Sequence, residues 1–486
     1  MSAVTDLASP SAPVPAPEPA RAATPRRWRM PWLLAWAGFV PVVVLRAGNL
    51  NDSDVFWQIR TGLLTISHRA IPATDPFSWT VPGRPWTLNS WGFNVLVAAA
   101  YRMAGLPGVA WAGAGLALAA AALTLLLASR LGAAPLLAGA ALFLASAPLG
   151  GWLQPRPELI DYVAVPAVLL MLRELARQPR WRWVIGVALV SAAWVNLHAA
   201  ALLGVVIGAG AAVALLARRE TRNAGLWCAA AALAAAAGSF LNPQGLGLVA
   251  QSAGVQSAST GAVAEWSHFQ PASPMQWTIL VTGAGAAFIA VRRGDAVLAG
   301  ALTVCCAGAI LATRLQPVLV LLAVPVLAAA ASRPAVLRYV RSRRLVLYPG
   351  AAAAVLAMTA VALPSLGHIG RPNPAVYPRH LIADIPSGCR LFNSYLLGGL
   401  VILQRPDVPV SLDSRNDLYG TRRVLADQRV LDGKGDAARA LAGAGCVLVP
   451  PTSGLARELR ADPAWRLVAA ERAAVLFVRV PSPAAP

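Results

Sequence analysis

The chain has 486 residues, of which 57% are hydrophobic and only 13% are charged. Its net charge of +20 is spread over short arginine clusters between apolar stretches, unlike the continuous basic face of a nucleic-acid-binding protein. The composition therefore argues against a nucleic-acid partner and indicates a protein that crosses a membrane several times.

The apolar stretches predict the topology. Residues 1–25 are rich in Pro, Ala and Ser, which indicates a disordered cytoplasmic tail ending near residue 30. Over residues 31–364, apolar stretches of about 20 residues, enough to cross hydrocarbon, alternate with arginine clusters typical of cytoplasmic loops. They predict about eleven spans, at residues 32–47, 108–129, 133–149, 159–175, 183–197, 200–217, 224–241, 275–291, 296–312, 315–331 and 345–363. An odd number places the amino terminus in the cytoplasm and everything after Pro364 outside.

The first outer loop, residues 48–107, contains two amphipathic segments. Apolar residues recur at helical spacing in residues 55–67, and residues 90–105 are apolar but too short and too polar for a span. We expect both segments to lie as helices in the outer membrane interface. A crossing by the second segment would move every later arginine cluster to the other side and reverse the charge bias.

The region from residue 365 to 486 has a different character and predicts a small extracytoplasmic α/β domain. Strands are predicted at residues 389–394, 409–413, 446–451 and 473–480, with helices at 422–431, 437–445 and 454–462. Cys389 and Cys446 both fall in this domain and could pair, although sequence alone does not show that they are close. The predicted fold class is thus mainly α, a polytopic transmembrane helical bundle with a C-terminal α/β domain.

Two carboxylates, Asp52 and Asp54, follow the first predicted span directly. In an extended segment, residues i and i+2 point the same way, so both could bind one divalent cation such as Mg²⁺ or Mn²⁺, or divide the roles of base and binding group. The other interpretation is that these acids only mark the solvated end of a span.

Separate outer loops bring further polar side chains to the same membrane face. Ionisable groups at span ends are costly unless partnered, so these residues predict one shared polar cavity. Arg314, between two apolar runs, needs either a carboxylate of the protein or a phosphate of a ligand. His198 fits a hydrogen-bonded interfacial histidine as well as a ligand contact. The expected substrate-binding set is Arg60, Trp57, Arg156, Glu158, Asn196, His198, Glu265 and Arg314.

A second polar cluster, in S-L-D-S-R-N-D-L-Y-G, falls at the end of a predicted strand. Strand ends are common positions for ligand groups in α/β domains, so Asp413, Arg415 and Asp417 join the expected substrate-binding residues. A well-capped turn into the next helix explains the same residue types equally well.

Several motifs, in order, resemble the GT-C superfamily of membrane glycosyltransferases, and more closely a bacterial subgroup of it. They are D-V-F-W-Q-I-R-T-G, I-P-A-T-D-P-F-S-W, W-V-N-L-H-A-A, N-P-Q-G and D-S-R-N-D-L-Y, and they extend from residue 51 to 420. Gln58 stands where the subgroup usually has histidine, and Ala199 where it has glycine. The first departure argues against a proton-carrying or metal-binding role at position 58.

The resemblance implies a sugar donor linked to polyprenyl phosphate and a first-loop carboxylate that acts as base or holds a metal. By motif these are Asp52 and Asp54, with Asp54 the expected base and Arg314, Arg156 or Arg60 expected to neutralise the leaving phosphate. It also implies a multi-pass protein of the bacterial plasma membrane and a glycan, lipid or protein acceptor.

Two non-enzymatic functions fit the same sequence. A transporter or lipid-handling subunit could use the polar cavity for binding alone. An assembly subunit could instead use the outer domain to recruit a partner that builds the cell envelope.

Overall fold

The computed structural model describes residues 30–47, 49–245, 247–248, 251 and 264–481, so the predicted tail lies outside the described residues apart from Met30. The described chain is mainly helical up to residue 366. Its α-helices there are Met30–Ala37, Val40–Ala47, Asp54–His68, Trp91–Arg130, Pro135–Leu149, Glu158–Arg177, Trp181–Leu197, Leu202–Leu216, Arg222–Ser239, Pro274–Arg292, Ala296–Leu311, Gln316–Ala331, Pro334–Ser342 and Arg344–Leu366.

A helix lies at each predicted span, which confirms the helical-bundle fold class. Among the described residues, six helices are long and apolar enough to cross a bilayer: Trp91–Arg130, Pro135–Trp152, Ala199–Leu216, Pro274–Arg292, Thr313–Ala331 and Arg344–Leu366. Shorter apolar helices occupy Met30–Arg46, Trp181–Leu197 and Ala296–Leu311. The number of about eleven crossings stays a prediction.

Burial separates central from peripheral helices. The apolar window of Thr313–Ala331 is 72% buried inside the protein, whereas that of Arg344–Leu366 is only 6% buried. The first is therefore the central helix of the bundle. The second exposes its apolar side chains around most of its surface, as expected of a helix that faces lipid.

Two helices are broken. The first predicted span, expected to be continuous over residues 32–47, is interrupted by a turn at Gly38 and Phe39. The long helix Trp91–Arg130 has non-helical backbone at Ala104 and at Gly105, whose φ of 63° favours glycine. This break separates the predicted interfacial segment, residues 90–105, from the spanning helix that follows. The other predicted loop helix, expected over residues 55–67, is present as Asp54–His68.

The C-terminal region carries a four-stranded sheet in the order β3-β4-β6-β5. Its strands are β3 (Leu391–Asn393), β4 (Cys446–Val449), β5 (Trp465–Ala470) and β6 (Val475–Arg479). β3 is parallel to β4, and the other pairs are antiparallel. Helices Gly398–Gln404, Asn416–Tyr419, Thr421–Leu431, Ala437–Ala440 and Gly454–Ala461 connect and cover the strands.

Three details of this region differ from the prediction. Residues 409–413 do not form a regular strand, because Val410 makes only isolated bridges, to Ser78 and Leu391. β5 was not predicted, since this strand is largely exposed and lacks an apolar alternation. The helix predicted over 437–445 ends at Ala440, before Gly443 with its φ of 85°.

The C-terminal region is joined to the first loop by backbone pairing and by a side-chain hydrogen bond. β1 (Asn49–Leu50), just after the first span, pairs in parallel with β2 (Arg371–Pro372), just after the last helix of the bundle. Trp79 in the first loop donates its indole N–H to the Leu391 carbonyl at 3.0 Å. Cys389 and Cys446 form a disulfide. The first loop is therefore enclosed between the bundle and the C-terminal sheet.

Candidate active site

The two acids of the first loop lie at the start of a helix. The backbone N–H of Asp54 donates to Oδ1 of Asp52 at 2.8 Å, and Asp54 is the first residue of the helix Asp54–His68. The expected extended segment is therefore wrong, because Asp52 instead closes a turn at the helix N-terminus. The carboxylates contact different groups: Oδ2 of Asp52 lies 3.0 Å from Nε of Arg156, and Oδ1 of Asp54 accepts from the indole N–H of Trp57 at 3.1 Å.

Arg156 is the centre of a carboxylate cluster. Its Nη1 and Nη2 atoms donate to the two carboxylate oxygens of Glu265 at 2.6 and 2.8 Å, a bidentate pair. Nη2 also lies 3.4 Å from Oε1 of Glu158. With Asp52, three acids from separate segments converge on one guanidinium whose side chain is only 12% exposed. The predicted meeting of distant loops at one site is thus found for these residues.

Arg314 extends the cluster. Its Nη2 donates to Oε1 of Glu158 at 2.6 Å, and its guanidinium carbon lies 4.0 Å from the centroid of the Trp266 ring. The partner of Arg314 is therefore a carboxylate of the protein, one of the two alternatives left open by the sequence. Oε2 of Glu158 is buried without a hydrogen-bond partner.

His198 joins this end of the bundle through an acid that the sequence interpretation missed. Nδ1 of His198 lies 2.7 Å from Oδ1 of Asp161, which also accepts from the indole N–H of Trp194 at 2.7 Å. Asp161 follows Glu158 by one helical turn, so the histidine lies beside the arginine cluster. The sequence signal for Asp161 was its position inside the predicted span 159–175, because an ionisable residue there is costly unless it has a function or a partner.

Asn196 fixes the first loop on the bundle. Its Oδ1 accepts from Trp91 at 2.9 Å, and its Nδ2 donates to the carbonyls of Ala192 and Leu241, both at 2.7 Å. Gln244 donates to the carbonyl of Leu88 at 3.2 Å. These amides position the loop that carries the acids.

The strand-end motif forms a buried ion-pair network with the first loop. Arg415 donates to both carboxylate oxygens of Asp413, at 2.8 and 2.6 Å, and its Nη1 lies 2.8 Å from Oδ1 of Asp75. Tyr419 donates its hydroxyl to Asp413 at 2.8 Å. The side chains of Arg415, Asp413 and Asp75 are fully buried. Asp75, which belongs to the motif I-P-A-T-D-P-F-S-W and was not among the predicted site residues, is thus the residue that the strand-end motif binds.

This network reaches the acids through Trp57. The indole N–H of Trp57 is shared between Asp54 and the hydroxyl of Ser414, each at 3.1 Å. The Trp57 ring packs edge-on against Trp86 at 5.6 Å, and the Arg415 guanidinium lies 4.6 Å from the Trp86 centroid. The C-terminal motif therefore contributes Ser414 to the surroundings of Asp54.

The two remaining predicted residues lie apart from the arginine cluster. Asp417 accepts a hydrogen bond from Gln251 at 3.2 Å and is half-buried. Arg60 lines a groove with His68 and Arg102, and none of the cluster residues borders that groove. Among the described residues, Arg60 makes no ion pair with Asp52 or Asp54.

The surroundings of the acids perturb their ionisation. Burial, and then the negative charge of Asp52, raise the pKa of Asp54 to about 7, against the opposing effects of Arg156, Ser414 and Trp57. Burial also raises the pKa of Asp52, and Arg156 opposes this shift. A carboxyl group that titrates near neutrality is suited to proton transfer.

The same residues do not fit a resident divalent cation. Within the described parts of the chain, no group of three or more His, Cys, Asp or Glu side chains is placed to hold a metal ion. One oxygen of Asp52 accepts a backbone N–H and the other faces a guanidinium. A bound Mg²⁺ or Mn²⁺ needs several oxygen ligands, and both oxygens of Asp52 already have these other partners.

Comparisons with solved structures identify the fold. The structure matches the oligosaccharyltransferase of Archaeoglobus fulgidus in its apo form with a TM-score of 0.55 at 12% identity, covering 86% of this chain and 69% of that one. It matches ArnT from Cupriavidus metallidurans bound to undecaprenyl phosphate with a TM-score of 0.52 at 14% identity, covering 94% and 99%. The chain has the GT-C fold. Neither the family models nor the curated protein sequences gave a match.

The sequence interpretation also missed the close backbone packing of the helix Gly398–Gln404 at the site. A Cβ atom on Gly399 would overlap the carbonyl oxygen of Ser53, and one on Gly398 would overlap that of Leu412. The helix Gly398–Gln404 can therefore approach the acids only because both residues lack a side chain. The available signal was the Gly-Gly pair in an otherwise apolar segment, L-L-G-G-L-V-I.

Proposed function

We propose that this protein is a membrane glycosyltransferase of the bacterial plasma membrane that transfers a sugar from a polyprenyl-phosphate donor to an envelope glycan, lipid or protein at the outer face. The observation that carries the proposal is the position of Asp54 on a GT-C fold. Its carboxylate lies at the first loop, beside a cluster to which three other segments of the chain contribute.

Asp54 is the proposed general base. Its carboxylate removes the proton of the acceptor hydroxyl as the acceptor oxygen bonds to the anomeric carbon, and the bond from that carbon to the phosphate oxygen breaks. The polyprenyl phosphate leaves with the electron pair of that bond. A base with a pKa near 7 is deprotonated in a large fraction of molecules at neutral pH, and base assistance contributes about 10² to 10⁴ in rate.

Arg314 is the proposed contact for the departing phosphate. Among the described residues, Arg156 already pairs with three carboxylates, whereas Arg314 pairs with Glu158 alone. The side chain of Arg314 remains 16% exposed. Charge-assisted donors at the position of the developing negative charge stabilise the transition state.

Two structures with this fold support the class of donor. One is ArnT bound to undecaprenyl phosphate, and the other is the archaeal oligosaccharyltransferase AglB in complex with an inhibitory peptide and a dolichol-phosphate, with a TM-score of 0.53 and 12% identity. Both lipids carry a phosphate on a long polyprenyl chain, which is the leaving group of the proposed reaction.

The proposal is tested with purified protein in liposomes and a panel of sugars linked to polyprenyl phosphate. Mass spectrometry measures the release of polyprenyl phosphate and the mass gained by envelope acceptors. We expect the wild-type chain to release polyprenyl phosphate from one donor, and Asp54→Asn to be at least about 100-fold slower. The matched control is Asp384→Asn, because Asp384 is an exposed aspartate that makes no contact with Asp54 among the described residues.

Equal rates for Asp54→Asn and the wild-type chain would overturn the assignment of the base. Tight binding of a donor without release, in the wild-type chain and with every acceptor, would favour a binding protein over an enzyme. A thermal unfolding curve for each variant separates loss of chemistry from loss of folding.

A further inference from the structure

A groove separate from the arginine cluster lies between the two helices of the first loop. It has a volume of about 620 Å³ and is lined by Arg60, Leu63, Leu64, Ile66, Ser67, His68 and Arg102. Arg102 lies two residues before the break that precedes the spanning part of the helix Trp91–Arg130. The groove is therefore next to the point where the chain enters the bundle.

The positive groups of this groove lack counter-charges. Among the described residues, neither Arg60, Arg102 nor His68 forms an ion pair, in contrast to Arg156 and Arg314, which are paired with acids. Nε of Arg60 is buried and has no hydrogen-bond partner. A groove whose arginines have no acidic partner attracts an anion, so an external anionic group would supply the missing counter-charge.

The walls of the groove are held in place by close packing. A Cβ atom on Gly62 would overlap the carbonyl oxygen of Asn94, so the two loop helices touch through their backbones. Leu63, Leu64 and Ile66 supply the apolar part of the lining. A rigid site with cationic donors and apolar walls matches a molecule with a phosphate next to hydrocarbon.

The groove is distinct from the site of the proposed reaction. Six residues separate Asp54 from Arg60 on one helix, a rise of about 9 Å. Neither Asp54 nor any residue of the arginine cluster lines the groove. The groove instead suits a lipid that stays in place during turnover.

We infer that this groove binds the phosphate headgroup of an anionic phospholipid of the bilayer, with Arg60 and Arg102 as the charged contacts. The lipid would fix the two loop helices on the membrane surface. This inference goes beyond the proposed function and does not depend on it, since it concerns lipid binding and not sugar transfer.

Native mass spectrometry of the delipidated full-length protein tests the inference. The probes are phosphatidylglycerol, phosphatidylcholine, undecaprenyl phosphate and inorganic phosphate. We expect the wild-type chain to prefer phosphatidylglycerol, and Arg60→Gln with Arg102→Gln to weaken that binding about 30-fold, the effect of two interfacial arginines. Replacing both by lysine keeps the charge and should retain most of the binding.

The control is Arg84→Gln, since Arg84 is an exposed arginine of the same loop that does not line the groove. Unchanged phosphatidylglycerol binding in the Gln double variant would overturn the inference, as would an equal preference for phosphatidylcholine. Preferential loss of undecaprenyl phosphate would assign the groove to the donor, and binding of inorganic phosphate alone would assign it to a free anion. If the Gln double variant unfolds at a lower temperature than the wild-type chain, the variant with both arginines replaced by lysine is used instead. The inference then requires that this lysine variant retain phosphatidylglycerol binding.

Discussion

The backbone N–H of Asp54 donates to Oδ1 of Asp52 at 2.8 Å, so the two acids have different roles in the structure. Asp52 holds the start of the helix and pairs with Arg156. Asp54 keeps its carboxylate directed toward Trp57 and Ser414, outside the arginine cluster. Of the two acids, Asp54 is therefore the one with a carboxylate available to a substrate hydroxyl.

The pH dependence of transfer should report the ionisation of Asp54. Only its charged form accepts a proton, and its pKa is raised to about 7, so kcat/KM should rise with pH through neutrality and then level off. The negative charge of Asp52 is the second cause of the shift. Asp52→Asn should therefore move the midpoint to lower pH, measured from kcat/KM profiles at constant ionic strength.

The control for this profile is Asp384→Asn, which should leave the midpoint in place because Asp384 is exposed and is not among the groups that shift the pKa of Asp54. A profile that is flat through neutrality in the wild-type chain would contradict the role of Asp54. A midpoint that moves upward in Asp52→Asn would contradict the electrostatic explanation of the shift.

Chelation of divalent cations should leave transfer within about twofold of its untreated rate, because a guanidinium and not a set of oxygen ligands faces Asp52. The measurement is the release of polyprenyl phosphate before and after EDTA, with Mg²⁺ or Mn²⁺ added back.

In parallel, Arg156→Gln should reduce the rate strongly, since it leaves the Asp52 and Glu265 carboxylates without their shared counter-charge.

Arg130→Gln is the matched control for Arg156→Gln, because the Arg130 side chain is 53% exposed and, in the part of the chain that the structure describes, pairs with Glu174 alone. An enzyme that loses its activity in EDTA and regains it with Mn²⁺ would contradict this expectation. The acids would then have to rearrange on binding metal.

Local patterns predicted the secondary structure of the bundle well. The apolar periodicity and the arginine clusters located a helix at every expected span, and the polarity of residues 90–105 correctly separated that segment from the next span. Gly105 and Pro107 mark this break in the sequence itself.

The pairing of side chains could not be predicted in the same way. Arg156 and Glu265 are 109 residues apart, and nothing local determines that they meet. The motif order suggested that Asp413, Arg415 and Asp54 belong to one site, but the connection through Ser414 and Trp57 depends on how the C-terminal region packs on the loop. The extended segment expected at the two acids was wrong because the Asp52 side chain forms a turn with the Asp54 N–H and the helix begins at Asp54.

Arg415→Gln should destabilise the protein by about 3 to 5 kcal/mol, because it leaves the buried carboxylates of Asp75 and Asp413 without a counter-charge. The measurement is thermal unfolding in detergent, followed by transfer kinetics well below the unfolding temperature. The exposed residue Arg422 provides the control, since Arg422→Gln should change stability by less than about 0.5 kcal/mol. Equal unfolding temperatures for the two variants would show that the network contributes little to stability.

Gly399→Ala should separate the C-terminal region from the acids. Its new methyl group would overlap the Ser53 carbonyl oxygen, so the helix Gly398–Gln404 must move away from the start of the helix that carries Asp54. Overpacking of this kind typically costs about 1 to 3 kcal/mol, and the displaced Ser414 would no longer hold Trp57. We expect transfer to fall more than about tenfold at temperatures where the variant remains folded, since misplacement by about 1 Å is costly in catalysis. Gly350→Ala, whose methyl group meets no atom within 4 Å, should keep full activity, and equal rates for the two variants would show that this contact does not position the site.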